Sequence, residues 1–338
     1  MTEQPLTSAE FRLLAAAGSA APSLHNSQPW RFRPTADRQG LLVHADPARA
    51  VPATDPDGRA LHLSVGAAVF NLRTAAAHLG RGTAVTLCPD PGDPTLLAGL
   101  HFVDPNATPT ATLPAASGAE LYAAITQRHS SRLPFANRDI PETVVGELIA
   151  AAAAEGVHLA VLEEAGVRRV LELTAEAERR TSADLRRQAE TRSWLRLEEP
   201  AADGIPLSAL GPLDHDARVP MRSFAGGPPR PATPIQRFEA LPQLAVLSTQ
   251  GDLSEEWLRA GQALERVWLL ATLHGVRASV LHQAVEWPET RWQLRDPADG
   301  PGHVQVVVRF GYGPPGAPTP RRPVEEVLDL EVRPADAK

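Results

Sequence analysis

Shifting the sequence by 195 residues lays residues 65–87 over residues 260–282. Five identities then fall into register: Gly66 on Gly261, Ala68 on Ala263, Ala76 on Ala271, Gly80 on Gly275 and Val85 on Val280. In both copies apolar residues recur at helical spacing, stop at a glycine suited to a C-cap, and give way to a strand-like run. The spacing is far too long for a solenoid, whose units recur about every 20–50 residues. It fits two related half-domains fused head to tail, so that one chain rebuilds a two-fold interface otherwise made by two subunits. Chance similarity between two Ala-rich helix–strand units is the alternative.

The most chemically loaded stretch is 20–33, AAPSLHNSQPWRFR. A helix beginning near Ser8 must end at Ala21-Pro22-Ser23, because the residue before a proline is pushed out of the α region. The loop that follows offers Ser23, His25, Asn26, Ser27 and Gln28 within six residues. Such a set of amides, hydroxyls and an imidazole suits the edge of a flat heteroaromatic ring with mixed donors and acceptors. The bland alternative is a polar loop whose Asn and Ser bond their own backbone.

A second motif, Gln127-Arg128-His129-Ser130-Ser131-Arg132, follows a helical run directly. Arg128, Ser130 and Arg132 supply forked donors and a hydroxyl, the chemistry that a phosphomonoester and a polyol chain require. Lysine occurs once, at Lys338, so nearly every cation is arginine and the pattern by itself is weak. Cys88 is the only cysteine, which excludes an intrachain disulfide, a thiolate zinc site and an iron–sulfur cluster. The net charge of −7 gives no bulk attraction to nucleic acid or to an anionic membrane.

Taken together, Pro22, Ser23, Asn26, Gln28, Pro29 and Trp30 resemble the Pro-Ser-x-x-Asn-x-Gln-Pro-Trp segment of the FMN-dependent nitroreductase superfamily. Residues 128–132 resemble that family's Arg-(Arg/His)-Ser-x-(Arg/Lys) segment, and the tandem halves with a long insertion resemble its Acg-type branch. The resemblance implies an α+β, nitroreductase-like fold: two fused half-domains mimicking a dimer, with mixed or antiparallel sheets packed by helices. It further implies that FMN is held by Pro22, Ser23, His25, Asn26 and Gln28 on one side and by Arg128, His129, Ser130 and Arg132 on the other. Arg321 and Arg322 stand where the family has a C-terminal basic residue, and Gln283 lies in residues 278–286, in the place of the loop beside the flavin N5. Each half lacks one of the two motifs, so one composite flavin site per chain is expected.

The expected halves are residues 1–110 and 111–338, joined by a Pro/Thr/Ala-rich connector at 104–118. An irregular, Pro- and Gly-dense excursion spans about 192–242, anchored by apolar residues including Trp194, Ile205, Leu210, Met221 and Phe224, and is expected to lie over the flavin as a lid. The implied activity is hydride transfer from NAD(P)H through the flavin to a small nitro or quinone acceptor; the alternative is FMN storage or regulation under a closed lid. No catalytic side chain and no metal site is identified, and Asp214-His215-Asp216 reads as a loop feature. A cytoplasmic, functionally monomeric pseudo-dimer is expected, without nucleic-acid or membrane partners, since no apolar run reaches the roughly 18 residues that span a bilayer.

Overall fold

The structure is a computed structural model that describes residues 4–104, 118–197, 200–222, 233–296 and 302–331. The chain opens with helix α1 (Ser8–Ser19), started by a capping box in which Thr7 Oγ1 accepts from the Glu10 backbone and Glu10 returns the bond to Thr7 N at 2.7 Å. Strands β1 (Trp30–Pro34) and β2 (Gly40–Ala45) form a hairpin. Helix α2 (Arg59–His78) is buried from Arg59 to Ala76 on most of its circumference, the mark of a helix at the centre of a fold. Strands β3 (Gly82–Leu87) and β4 (Leu96–Val103) complete an antiparallel sheet ordered β1-β2-β4-β3.

After α3 (Gly118–Ile125), the second half repeats this plan. It runs α4 (Glu142–Ala153), β5 (His158–Val161), then α5 (Glu164–Ala183) and α6 (Leu185–Ser193), which break at Asp184 where its carboxylate caps α6. Two-residue strands β6 (Leu195–Arg196), β7 (Ile205–Pro206), β8 (Leu213–Asp214) and β9 (Ile235–Gln236) punctuate the excursion. Then follow β10 (Gln243–Thr249), α7 (Ser254–Leu273), β11 (Arg277–Val280), α8 (Pro288–Gln293), β12 (His303–Gly311) and α9 (Val324–Val327). The second sheet is ordered β5-β10-β12-β11, element for element the order of the first. Helix α8 was not legible in the sequence, being only six residues long, although Pro288 at its first turn is a favoured start.

The duplication is written into the packing of α2 on α7. A Cβ added to Gly66 would lie 2.2 Å from the Leu258 carbonyl oxygen, and one on Gly261 would lie 2.1 Å from that of Leu63. The 195-residue shift carries Leu63 to Leu258 as it carries Gly66 to Gly261, so one contact is made twice about an approximate two-fold axis. The chain is thus two fused half-domains, with the two central helices at their junction.

The expected boundary at 110/111 and most of the connector lie outside the described residues, as do Phe224, Pro228 and Pro229 of the excursion. The C-terminal segment returns to the first half: Leu328 pairs in parallel with Phe32, and Asp329 N donates to Phe32 O at 2.9 Å. Among the described residues no helix is long and apolar enough to cross a membrane.

Candidate functional site

Helix α1 ends at Ser19, three residues before Pro22, and the loop beyond it is wound tightly. His25, Asn26 and Gln28 have φ of 54°, 56° and 53°, a left-handed conformation that costs a non-glycine residue about 1–2 kcal/mol. Three such residues in four positions persist only where the surroundings over-determine them, and they gather at functional sites. Ser23 Oγ accepts from Gln28 N at 3.0 Å, and Ser64 Oγ on α2 accepts from Leu24 N at 3.4 Å.

The two amides take up most of the remaining load. Asn26 Nδ2 donates to Gly204 O and Pro320 O, both at 2.9 Å, while its Oδ1 accepts from Arg321 Nη1 at 3.0 Å. Gln28 Nε2 donates to Ala202 O at 3.0 Å and its Oε1 accepts from Arg322 N at 2.9 Å. Net contributions of about 1 kcal/mol per bond are enough to offset the strain. Both side chains therefore clamp the loop to the excursion and to the C-terminal segment. In the closed arrangement their amide groups are thus occupied by protein partners and not by the ring edge that the sequence suggests for them.

Beside this loop lies a cavity of about 160 Å³, whose wall is drawn from both halves. Pro22, Ser23 and His25 enter from the loop, Ser130 and Arg132 from the second motif, and His282 and Gln283 from the turn after β11. Leu63 and Ala67 on α2, with Leu264 and Trp268 on α7, form the apolar floor. The excursion closes the wall with Ile205, Leu210 and Pro220 to Arg222.

Two polar side chains of the cavity are bound to the excursion. Arg132 Nη1 donates to Ala209 O at 2.8 Å, and Gln283 Nε2 donates to Pro220 O at 3.2 Å. Burial, with Arg222 adding to it, holds Arg132 down to about 10. Burial alone would lower Arg222 too, but Glu286 and Glu178 outweigh it, and Arg222 is ion-paired with Glu286. Burial and the neighbouring arginines push His25 and His282 well below the usual histidine range, so both are neutral at pH 7.

A second cluster flanks Ser130. Arg128 donates to Ala20 O at 2.8 Å, stands 4.8 Å over the Trp268 ring and pairs with buried Glu265 at 3.2 Å. Arg321 donates to the carbonyls of Ala20 and Ala21, and burial lowers it to about 9. Half-buried His129 is lowered first by burial and then by Arg128, Arg321 and Arg277, which places it amid three guanidinium groups. The Nε atoms of Arg277 and Arg321 are buried without a hydrogen-bond partner. Arg322 stands apart, pairing with Asp46 and Glu326.

Of the residues singled out in the sequence, Pro22, Ser23, His25, Ser130, Arg132 and Gln283 meet at the cavity. Arg128, His129 and Arg321 form the cationic cluster beside it, while Asn26, Gln28 and Arg322 hold segments together. Sequence reasoning did not pick out Arg222, Arg277 or His282. In so Arg-rich a chain an isolated arginine carries no signal, whereas His282 stood at the end of an expected strand. Asp214 accepts from the backbones of Arg218, Val219 and Phe238, and so serves as a turn former.

At the pseudo-equivalent position the loop between α4 and β5 shrinks to a tight turn at Glu155 and Gly156. The shift carries Arg73 to Trp268, and in place of an apolar floor Arg73 donates to Glu155 and Gln262 at 2.6 and 2.9 Å. Arg266 donates to the same carboxylate at 2.8 Å. A buried ion cluster stands where a second loop would be needed.

No family model matches the chain. Among curated proteins it is similar to two from Mycobacterium tuberculosis that carry provisional NAD(P)H nitroreductase names. One, from strain H37Rv, is 32% identical over 317 residues, covering 91% of this chain and 88% of its own length. The other, named Acg, is 31% identical over 322 residues, covering 93% of each. Among solved structures, a provisionally named nitroreductase from Anabaena variabilis covers 92% of this chain and 90% of its own, with 11% identity and a TM-score of 0.47. A nitroreductase with bound FMN from Bacteroides fragilis covers 63% and 99%, with 16% identity and a TM-score of 0.38. Similarity to the mycobacterial proteins over nearly the whole chain places it: the chain belongs to the nitroreductase superfamily, in its Acg-type branch.

Proposed function

We propose that the chain is an FMN-binding oxidoreductase that takes a hydride from NAD(P)H and passes it to a small nitro or quinone-type acceptor. The observation that supports this most is a composite cavity in which the motifs around Ser23 and around Ser130 meet beside a cluster of arginines. The donor set fits FMN. An apolar floor of Leu63, Leu264 and Trp268 suits a flat tricyclic ring. The unpartnered Nε groups of Arg277 and Arg321, with His129 and the Ser130 hydroxyl beside them, suit a phosphomonoester.

When bound, the flavin supplies the hydride chemistry, and the protein positions and tunes it. In this reading the arginine cluster anchors the phosphate, Arg132 faces the polar edge of the ring, and the floor excludes water. His25 and His282, both neutral, leave the guanidinium groups as the charges felt in the cavity. Residues 192–242 act as the lid.

The second reading is sequestration of FMN without turnover. The number of bonds between the excursion and the residues around the cavity favours it: Asn26, Gln28, Arg132 and Gln283 each donate to an excursion carbonyl. Titration with FMN followed by stopped-flow reduction with NADPH and with NADH tests both readings. One FMN per chain with rapid reduction supports the enzyme; one FMN with no reduction on the scale of seconds supports storage; no FMN uptake overturns both.

A further inference from the structure

Among the described residues the cavity wall carries two arginines and two histidines, Arg132, Arg222, His25 and His282, and no carboxylate, although Arg222 is paired with Glu286. A low-dielectric space lined by one sign of charge draws in a ligand of the other sign. Two of its polar nitrogens lack partners. His25 Nε2 and Arg222 Nη1 are out of contact with solvent and make no hydrogen bond, while the other Arg222 nitrogen holds Glu286. A buried donor left unmade carries a desolvation cost that a ligand acceptor would remove.

In the flavoprotein reading, on which this inference rests, the phosphate is assigned to the cluster around His129, and an oxidised flavin ring is neutral. The unpartnered Nη1 of Arg222, whose charge is shared with Glu286, and the unpartnered Nε2 of His25 are thus surplus to the cofactor. Arg222 belongs to the excursion, so this surplus is present only when that segment is closed over the cavity. We propose that Arg222 and His25 form an anion subsite, and that the acceptor held under the excursion is a small planar aromatic bearing a carboxylate or phenolate group.

The test compares 4-nitrobenzoate with 4-nitrobenzamide, which share a ring and a nitro group and differ in charge. Each is titrated at pH 7.5 into FMN-loaded protein, read by flavin absorbance, and into FMN-free protein, read by calorimetry. Nitrobenzoate should bind at least about tenfold more tightly, as one charge-assisted pair would give. Arg222→Gln should bring the ratio to within about twofold by weakening nitrobenzoate alone, and Arg222→Lys should keep most of it. Equal affinities in the unaltered protein overturn the proposal without any variant. So does a preference that survives Arg222→Gln, and so does a variant that shifts the flavin's reduction potential while leaving both affinities equal. Failure to take up FMN, with the carboxylate preference kept in FMN-free protein, would sink the flavoprotein reading and leave the anion subsite standing.

Discussion

Asn26 and Gly204 exchange hydrogen bonds: the amide of Asn26 donates to the Gly204 carbonyl at 2.9 Å, and Gly204 N donates back to the Asn26 carbonyl at 3.3 Å. The two residues are 178 positions apart, and the pair joins the strained loop to the excursion. Beside it Asp203 receives Arg49 and Arg196, and the Arg49 guanidinium stands 5.5 Å over the Trp194 ring.

Gly204 is the point at which this closure is most easily weakened. Its φ is +71°, and a Cβ there would lie 2.5 Å from the Trp194 carbonyl oxygen. Gly204→Ala should therefore destabilise the closed arrangement by about 1–3 kcal/mol, raising the open fraction roughly 5- to 150-fold. Iodide quenching of bound flavin should rise, and trypsin should cut faster after Arg196 and Arg218. If neither changes in a variant that still holds FMN, the excursion does not close over the flavin.

The cationic cluster and Arg132 should separate two ligands that differ only in a phosphate. Arg277→Gln removes a guanidinium whose Nε is unpartnered, at the cost of one charge-assisted bond of about 1.5–3 kcal/mol. FMN affinity should fall roughly 10- to 100-fold while riboflavin affinity holds. Arg132→Gln, at the cavity itself, should weaken the two ligands alike. Reversal of the two patterns, measured by fluorescence titration, would place the phosphate at Arg132. Arg128 is a poor probe for this purpose, because removing it strands Glu265 without its partner at a cost of about 3–5 kcal/mol in stability.

The reciprocal glycines make a prediction about the fold itself. Gly66→Ala and Gly261→Ala each drive a Cβ into a backbone oxygen, so each should cost several kcal/mol, on the scale reserved for overpacked cores. Gly80→Ala, with φ of +74° and no atom within 4 Å, should cost only about 1 kcal/mol. Urea unfolding measures all three. Because the two contacts belong to one helix pair, the double variant should depart from additivity. Small losses at both central glycines would mean that α2 and α7 can separate without penalty.

The legible part of this chain was local. Helical period in α2 and α7, the proline that stops α1, and the tight loop around Asn26 all follow from residues within a turn or two of each other. The 195-residue shift exposed the duplication because Gly66 and Gly261 admit nothing larger. What could not be read was the partner of each polar group. Asn26 meets Pro320 across 294 positions, and nothing near either residue announces it. Arg222 and Arg277 look like any other arginine until folding buries them, since the feature that marks each is one buried nitrogen left without a partner.

His25 offers a check on the electrostatics of the cavity. Burial first, and then Arg222 and Arg132, push its folded value well below 6.5. Below about pH 6.5 the unfolded chain therefore binds a proton at this position that the native chain refuses. Unfolding free energy at this site rises with pH up to that point and is flat above it. Buried Glu265 and Glu286, both raised, titrate in the opposite sense, so the effect is isolated by difference. His25→Asn is the suitable variant, because Asn tolerates the φ of 54° better than any other non-glycine residue. As pH falls below 6.5, the variant should gain on the unaltered protein by up to about 1.4 kcal/mol per pH unit. Above pH 7 the gap should stay constant. Denaturant melts between pH 5 and pH 8 give the gap directly. A gap that does not change with pH would mean that His25 takes up its proton in the folded state as readily as in the unfolded one, and that the arginines around the cavity do not act on it.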